Sequence, residues 1–87
     1  MDNEYFRDWV IGVLSPLCDS PEKLKIKEEY DDRGVLLTVY AVRKDLSRII
    51  GKEGNTVKAV RTLLKHIATK NQLHFSLKVD DLNNYVY

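Results

Sequence analysis

An α+β fold, with a three-stranded sheet covered on one face by three helices, is predicted for this chain of 87 residues. Three observations predict it: apolar residues recur at helical spacing in some segments, they alternate at strand spacing in others, and a loop with two glycines separates two helical patterns. The predicted order is helix, strand, strand, helix, helix, strand. We assign residues 1–80 to one domain, long enough to bury a core without a metal or a disulfide, and residues 81–87 to a short C-terminal tail without a clear pattern.

The first predicted element is a helix from Tyr5 to Ser15. Its apolar residues follow the i, i+3, i+4, i+7, i+8 pattern of one buried helical face; they are Phe6, Trp9, Val10, Val13 and Leu14. Pro16 should end or kink this helix because it lacks an amide hydrogen, and Ser20-Pro21 marks the turn that follows.

Two strands are predicted next. Leu24, Ile26 and Tyr30 alternate with charged residues, which is the period of a strand with one solvated face. A turn at 31–34 leads into the segment from Val35 to Val42, which is apolar on both faces and rich in β-branched residues. This pattern predicts an edge strand joined by a hairpin to a central strand. A third strand near the C-terminus alternates polar residues with the apolar Leu73, Phe75, Leu77 and Val79.

Two helices flank the sequence Gly51-Lys52-Glu53-Gly54. Asp45 is expected to cap the first helix, through Ile50, because its carboxylate can accept from unpaired amides. Gly51 suits the left-handed conformation in which helices commonly stop. The second helix starts at Gly54 and Asn55, and its buried stripe comprises Val57, Val60, Leu64, Ile67 and Ala68. On its other side, within about 60° of one another, lie Lys58, Arg61 and Lys65.

The glycine loop is predicted to be an anion site. The free amides and the positive dipole end of the second helix face it, which favours phosphate. Side chains at Gly51 or Gly54 would hold a sugar-phosphate strand away, and Lys52 adds a mobile positive charge. A G-x-x-G tetrapeptide alone also fits an ordinary interhelical turn. A nucleotide triphosphatase is disfavoured, because Glu53 follows Lys52 where a P-loop needs Ser or Thr, and the upstream glycine is missing.

The charge is unevenly distributed along the chain. The net charge is +1, but residues 43–70 carry eight basic and two acidic residues, a balance of +6. The remainder carries −5. A basic segment around the glycine loop, within an otherwise acidic domain, is the distribution expected of a local anion site.

With the element order, the residues from Ile49 to Thr56 resemble the core motif of a KH domain of the type II arrangement, as found in small bacterial single-KH RNA-binding proteins. The resemblance covers about Tyr5 to Val79. It implies that a groove holds about four nucleotides of single-stranded RNA or DNA while the loop clamps the backbone. The RNA-binding residues that the resemblance and the basic segment assign are Gly51, Lys52, Glu53, Gly54, Asn55, Lys58, Arg61, Arg48, and, as the groove floor, Leu46 and Ile49.

This chain departs from the KH pattern in several places. Glu53 stands where an uncharged residue is frequent and Asn55 where a basic one is frequent, so we expect a less positive loop and low affinity. The link between the last helix and the last strand is short, about Thr69 to Gln72. No aromatic residue lies beside the loop in the sequence. We therefore expect backbone-dominated binding with modest sequence preference.

The predicted function is RNA binding without catalysis, as a post-transcriptional regulator or RNA chaperone. The resemblance implies pairing, as a homodimer or as a heterodimer with a larger KH-containing RNA-binding protein linked to cell-envelope growth, cell shape and division. The alternative is a protein-interaction module that keeps the fold and binds RNA only secondarily.

Other chemistry has little support in the sequence. His66 and His74 lack further ligands at metal-binding spacing, and Cys18 has no evident base, so we expect no metal, no cofactor, no small-molecule substrate and no enzymatic activity. A single cysteine fits a reducing compartment. The segment from Met1 to Trp9 lacks the basic start of a secretory signal, and the longest uncharged run is about half a membrane span. We therefore expect a cytoplasmic protein with no membrane contact.

Overall fold

The computed structural model describes residues 3–86 and shows the predicted order of elements. The helices and strands, in chain order, are α1 (Asn3–Leu14), β1 (Lys25–Asp31), β2 (Gly34–Ala41), α2 (Arg43–Ile50), α3 (Asn55–Lys70) and β3 (Phe75–Asp81). Short 3₁₀ turns lie at Ser15–Leu17, Pro21–Lys23, Lys52–Gly54 and Leu82–Asn84. The predicted α+β class with the KH type II element order is thereby confirmed.

The sheet has β2 in the middle, as its apolar composition predicts. β1 pairs with β2 in antiparallel orientation through the hairpin, and β3 pairs with β2 in parallel orientation. Val39, for example, lies opposite Ile26 on one side and Val79 on the other. Parallel neighbours need a long crossover connection, which α2 and α3 supply. The glycine loop therefore lies within this crossover.

One face of the sheet and all three helices form the core. From α1, Phe6, Val10 and Leu14 are buried, and the ring of Phe6 stacks on Phe75 of β3 with 4.3 Å between centroids. Alternate residues of β2 face the same core, as do residues of α2 and α3; these are Leu37, Val39, Ala41, Ile49, Val60, Leu64 and Ala68. The predicted buried faces of α1 and α3 are thus confirmed at these positions.

Several expectations about element bounds and burial need correction. The first helix, expected from Tyr5 to Ser15, spans Asn3–Leu14. Leu73, expected in the last strand, lies in the loop before β3 and is 36% exposed. Tyr30, expected on the buried side of the first strand, is 61% exposed because it lies at the far end of an edge strand. The helix before the glycine loop begins at Arg43, two residues ahead of Asp45.

The segment from 81 onwards has a structure that its sequence did not indicate. Asp81 ends β3, and its Oδ1 accepts a hydrogen bond from the Asn83 amide at 2.9 Å, which caps the following 3₁₀ turn. The Tyr85 ring then packs edge-on against Tyr40, at 5.1 Å between centroids. Because Tyr40 alternates with the core residues of β2, this contact covers the sheet face opposite the helices.

Candidate nucleic-acid interface

Three residues with positive φ shape the glycine loop between α2 and α3. Gly51 has φ 75° and ψ 177°, Glu53 has φ 57° and ψ 24°, and Gly54 has φ 75° and ψ 13°. Gly51 thus has the positive φ that was expected, but its ψ is extended rather than left-handed helical. The left-handed residues are Glu53 and Gly54. Glu53 is not a glycine, so it adopts this conformation with strain, a feature that is common at functional sites.

The two glycines are needed for different reasons. A Cβ at Gly51 would overlap Thr56 Oγ1 and lie 2.7 Å from Thr56 Cβ, so the start of α3 itself requires a glycine here. A Cβ at Gly54 would meet only the Lys58 Cε, at 3.7 Å, on an otherwise open side. Gly54 is therefore the glycine whose missing side chain leaves room for a ligand.

Several amides of the loop and of the start of α3 are already bonded within the protein, so the expectation of free amides facing the loop is corrected at these positions. The Gly51 amide donates to Ser47 O at 2.9 Å, and the Gly54 amide donates to Gly51 O at 3.2 Å. The Asn55 amide donates to Lys52 O. The tight turn that the two glycines permit brings these donors and acceptors together.

The expected groove floor is only partly accessible. Leu46 is half-buried, but Ile49 has no exposed surface and belongs to the core, so its assignment as a contact residue is corrected. Ile50, which was not assigned, is half-buried like Leu46. Leu46 and Ile50 are spaced i, i+4 and share one face of α2, a signal that the sequence offered. The apolar surface beside the loop is therefore formed by Leu46 and Ile50.

The predicted cations fall into two groups. Lys52 and Lys58 are exposed, and neither forms a salt bridge with a side chain of residues 5–86. Arg61 is exposed too, but its Nε donates to Leu77 O in β3 at 2.9 Å, so it also ties α3 to the sheet. Arg48 pairs through Nη1 with Asp19 Oδ1 at 2.6 Å. The hydrogen bond from Arg48 lowers the pKa of Asp19 below its ordinary value, so this carboxylate is charged at neutral pH.

Asp45 has a tertiary role instead of the expected capping role. Its side chain is fully buried, Oδ1 accepts from the Asp19 amide at 2.9 Å, and Oδ2 accepts from the Ser20 amide at 3.0 Å. The N-cap position of α2 is Val42, which makes no side-chain capping bond. Asp45 therefore anchors the connection between α1 and β1 to the helix that leads into the glycine loop.

The described residues offer little for other chemistry. Among the side chains of residues 5–86, no three from His, Cys, Asp or Glu group in a way that could hold a metal ion. The Cys18 thiol is half-buried, and burial is the main cause that raises its pKa, which disfavours the nucleophilic thiolate. In the same part of the chain, no helix has the length and apolarity needed to cross a membrane.

A family model and several individual proteins that match this chain agree on one family. The sequence model described as KhpA/KhpB, KH domain matches residues 7–79. RNA-binding protein KhpA of Chlamydia caviae is 36% identical over 73 residues, which cover 84% of this chain and 94% of that protein. KhpA of Listeria monocytogenes is 31% identical over 70 residues, covering 80% and 92%, and KhpA of Bacillus subtilis is 31% identical over 62 residues, covering 71% and 76%. A search of solved structures found no match. With its KH type II element order and this match over most of its length, the chain belongs to the KhpA/KhpB family of KH domains.

Proposed function

We propose that this chain binds about four nucleotides of single-stranded RNA across the glycine loop and the start of α3. The observation that carries the proposal is the open side of Gly54, with the exposed Lys52 two residues before it and the exposed Lys58 four residues after it. The strained left-handed Glu53 supports it as a sign of a functional loop. The relatives named RNA-binding protein KhpA agree with this function.

The remaining loop donors would contact the RNA backbone. Since the amides of Gly51, Gly54 and Asn55 donate internally, we assign phosphate contacts to the amides of Lys52 and Glu53. The Lys52 and Lys58 ammonium groups would add charge-assisted contacts.

Neighbouring side chains would complete the RNA-binding surface. Leu46 and Ile50 would pack against a base or sugar, and Ile49 would support α2 from beneath. Asn55, Arg48 and Arg61 would flank the strand.

The composition of this surface favours backbone recognition. Residues 43–70 contain no Phe, Trp or Tyr on which bases could stack, so binding should show modest sequence preference and low affinity. A weak single site gains from pairing with a second one, because the second contact becomes intramolecular. We therefore propose a non-catalytic cytoplasmic regulator or RNA chaperone that acts as a homodimer or with a larger KH-containing RNA-binding subunit.

The test is a double substitution of the loop, Lys52→Asp with Glu53→Asp. Both side chains are exposed, and Asp tolerates the left-handed conformation at 53, so the variant should remain folded. We expect loss of binding to a mixed-sequence single-stranded oligoribonucleotide, measured by fluorescence anisotropy. If about three phosphates are neutralised, log affinity of the unaltered protein should fall with log salt at a slope of about −2.

A matched control carries the same chemical change on the sheet. Lys27 and Glu29 lie exposed on β1, where their side chains pair at 3.7 Å. Lys27→Asp with Glu29→Asp alters the charge by the same amount, and it should leave RNA binding nearly intact. Unchanged binding by a folded loop variant would contradict the proposal, and a flat salt response would favour the alternative of a protein-interaction module.

A further inference from the structure

Two cations on α2, the helix that leads into the glycine loop, share one carboxylate. Asp19 Oδ1 lies 2.6 Å from Arg48 Nη1, and Asp19 Oδ2 lies 3.5 Å from Lys44 Nζ. Lys44 and Arg48 are spaced i, i+4, so both point from the same face of the helix. Arg and Lys side chains bind phosphate oxygens in the same way as carboxylate oxygens, so a phosphate group could take the place of the Asp19 carboxylate between these two cations.

The position of Asp19 is set by a buried group. The Asp19 amide donates to Asp45 Oδ1 at 2.9 Å, and the neighbouring Ser20 amide donates to Asp45 Oδ2 at 3.0 Å. Asp45 itself has no exposed surface. The main chain that carries Asp19 is therefore held against α2, and little freedom is lost when its short side chain reaches the cations. The side chain nevertheless remains 46% exposed, so a solvent-borne anion can compete for the same cations.

We propose that Asp19 is an intramolecular competitor of RNA, whose carboxylate holds Arg48 and Lys44 in the free protein and yields them to a phosphate of the bound strand. This inference rests on the proposed function. Arg48 precedes Gly51 by three residues and lies in the last turn of α2, on the flank away from Leu46 and Ile50. A bound strand would therefore reach it by continuing past the glycine loop around the end of α2. Asp19 would thus lower the affinity for single-stranded RNA and for other polyanions.

The decisive variant is Asp19→Asn, which keeps the side-chain shape and the main-chain bond to Asp45 but removes the charge. We expect affinity for a mixed-sequence single-stranded oligoribonucleotide to rise about two- to fivefold at moderate salt, the equivalent of releasing an exposed ion pair. Asp32→Asn is the matched control. Asp32 lies exposed in the turn between β1 and β2. Its substitution changes the net charge by the same amount as Asp19→Asn but should alter the affinity for RNA much less.

A double-mutant cycle separates competition from general charge. In an Arg48→Gln background, Asp19→Asn should give a clearly smaller gain, because the main released cation is absent. Asp19→Ser repeats the test with a smaller side chain, and thermal unfolding verifies that each variant is folded. No gain or a loss with Asp19→Asn, an equal gain with Asp32→Asn, or an undiminished gain in the Arg48→Gln background would each overturn the inference.

The failure of this inference is distinguishable from that of the proposed function. If the unaltered protein binds RNA with a clear salt slope and Asp19→Asn brings no gain, only the competition is wrong. If the unaltered protein shows no salt-dependent binding, both are wrong, because there is then no phosphate for Asp19 to oppose.

Discussion

Alanine at each loop glycine should have a different effect, because the two positions meet different surroundings. At Gly51, φ 75° with ψ 177° belongs to a region almost restricted to glycine, which adds about 1–3 kcal/mol for another residue. The new Cβ would also overlap Thr56, and such overpacking costs about 1–3 kcal/mol. We therefore expect Gly51→Ala to lower the free energy of unfolding by about 4 kcal/mol.

At Gly54 only the left-handed conformation resists alanine, at about 1–2 kcal/mol, because the nearest atom to the new Cβ is Lys58 Cε at 3.7 Å. For a domain of this size, the two variants should differ in Tm by about 10–20 °C. The Gly54→Ala methyl group would project into the space proposed for RNA, so this milder variant should still lose much of its RNA affinity.

The assay is equilibrium unfolding in guanidinium chloride, followed by far-ultraviolet circular dichroism, with RNA titrations of each folded variant. Gly12→Ala is the control for adding a methyl group, because Gly12 lies exposed within α1 and no atom lies within 4 Å of the added Cβ. This variant should be more stable than the unaltered protein by up to about 1 kcal/mol. Thr56→Ala removes the Oγ1 but keeps the Cβ at 2.7 Å, so it should rescue at most a small part of the loss in Gly51→Ala. Equal destabilisation at Gly51 and Gly54 would refute the steric argument.

Three further predictions concern single carboxylates. Asp45→Ala should lower the free energy of unfolding by about 3 kcal/mol, because the amides of Asp19 and Ser20 lose a charged acceptor. Asp45→Asn should lower it by less, and denaturant unfolding measures both variants. An unchanged free energy of unfolding in Asp45→Ala would contradict the anchoring role. Glu53→Gly should raise the free energy of unfolding by about 0.5–1 kcal/mol, because glycine adopts the left-handed conformation without strain. Denaturant unfolding measures this change, and a lower free energy of unfolding in Glu53→Gly would contradict the strain at this position. Because the pKa of Asp19 is lowered in the folded protein, chiefly by the hydrogen bond from Arg48, its contribution to stability is present above the ordinary pKa of 3.8 and is lost as pH falls below it. The stability difference between the unaltered protein and Asp19→Asn should therefore shrink on acidification below about pH 3.8, and a difference independent of pH would contradict the pairing.

The anchored carboxylate links the predictions about folding to those about RNA. Asp45 holds the segment at Asp19, and the Asp19 side chain in turn pairs with Arg48 and Lys44 of α2. Loss of Asp45 should therefore disturb both stability and the placement of these cations, whereas loss of the Asp19 charge should affect mainly RNA binding. The two substitutions thus separate the structural from the functional part of one network.

Local patterns in the chain were sufficient to predict the elements and the glycine loop. The helical period of Phe6, Val10 and Leu14 and the two-sided apolar run of β2 report burial directly, because side-chain direction follows backbone geometry. The positive φ at Gly51 and Gly54 was likewise predictable, since only glycine adopts such angles freely.

Contacts between distant parts of the chain depended on the three-dimensional packing. Asp45 bonds to amides 25 and 26 residues away, and Arg61 donates to a carbonyl 16 residues away, so no local pattern could assign them. Ile49 is a large aliphatic residue like Leu46 and Ile50, yet of these three it alone is fully buried. The reason is that α2 packs on the core with only one side of the helix. The physical reason is that spacing along the chain specifies which residues share a face, whereas the partner that covers each face is specified only when the elements pack together.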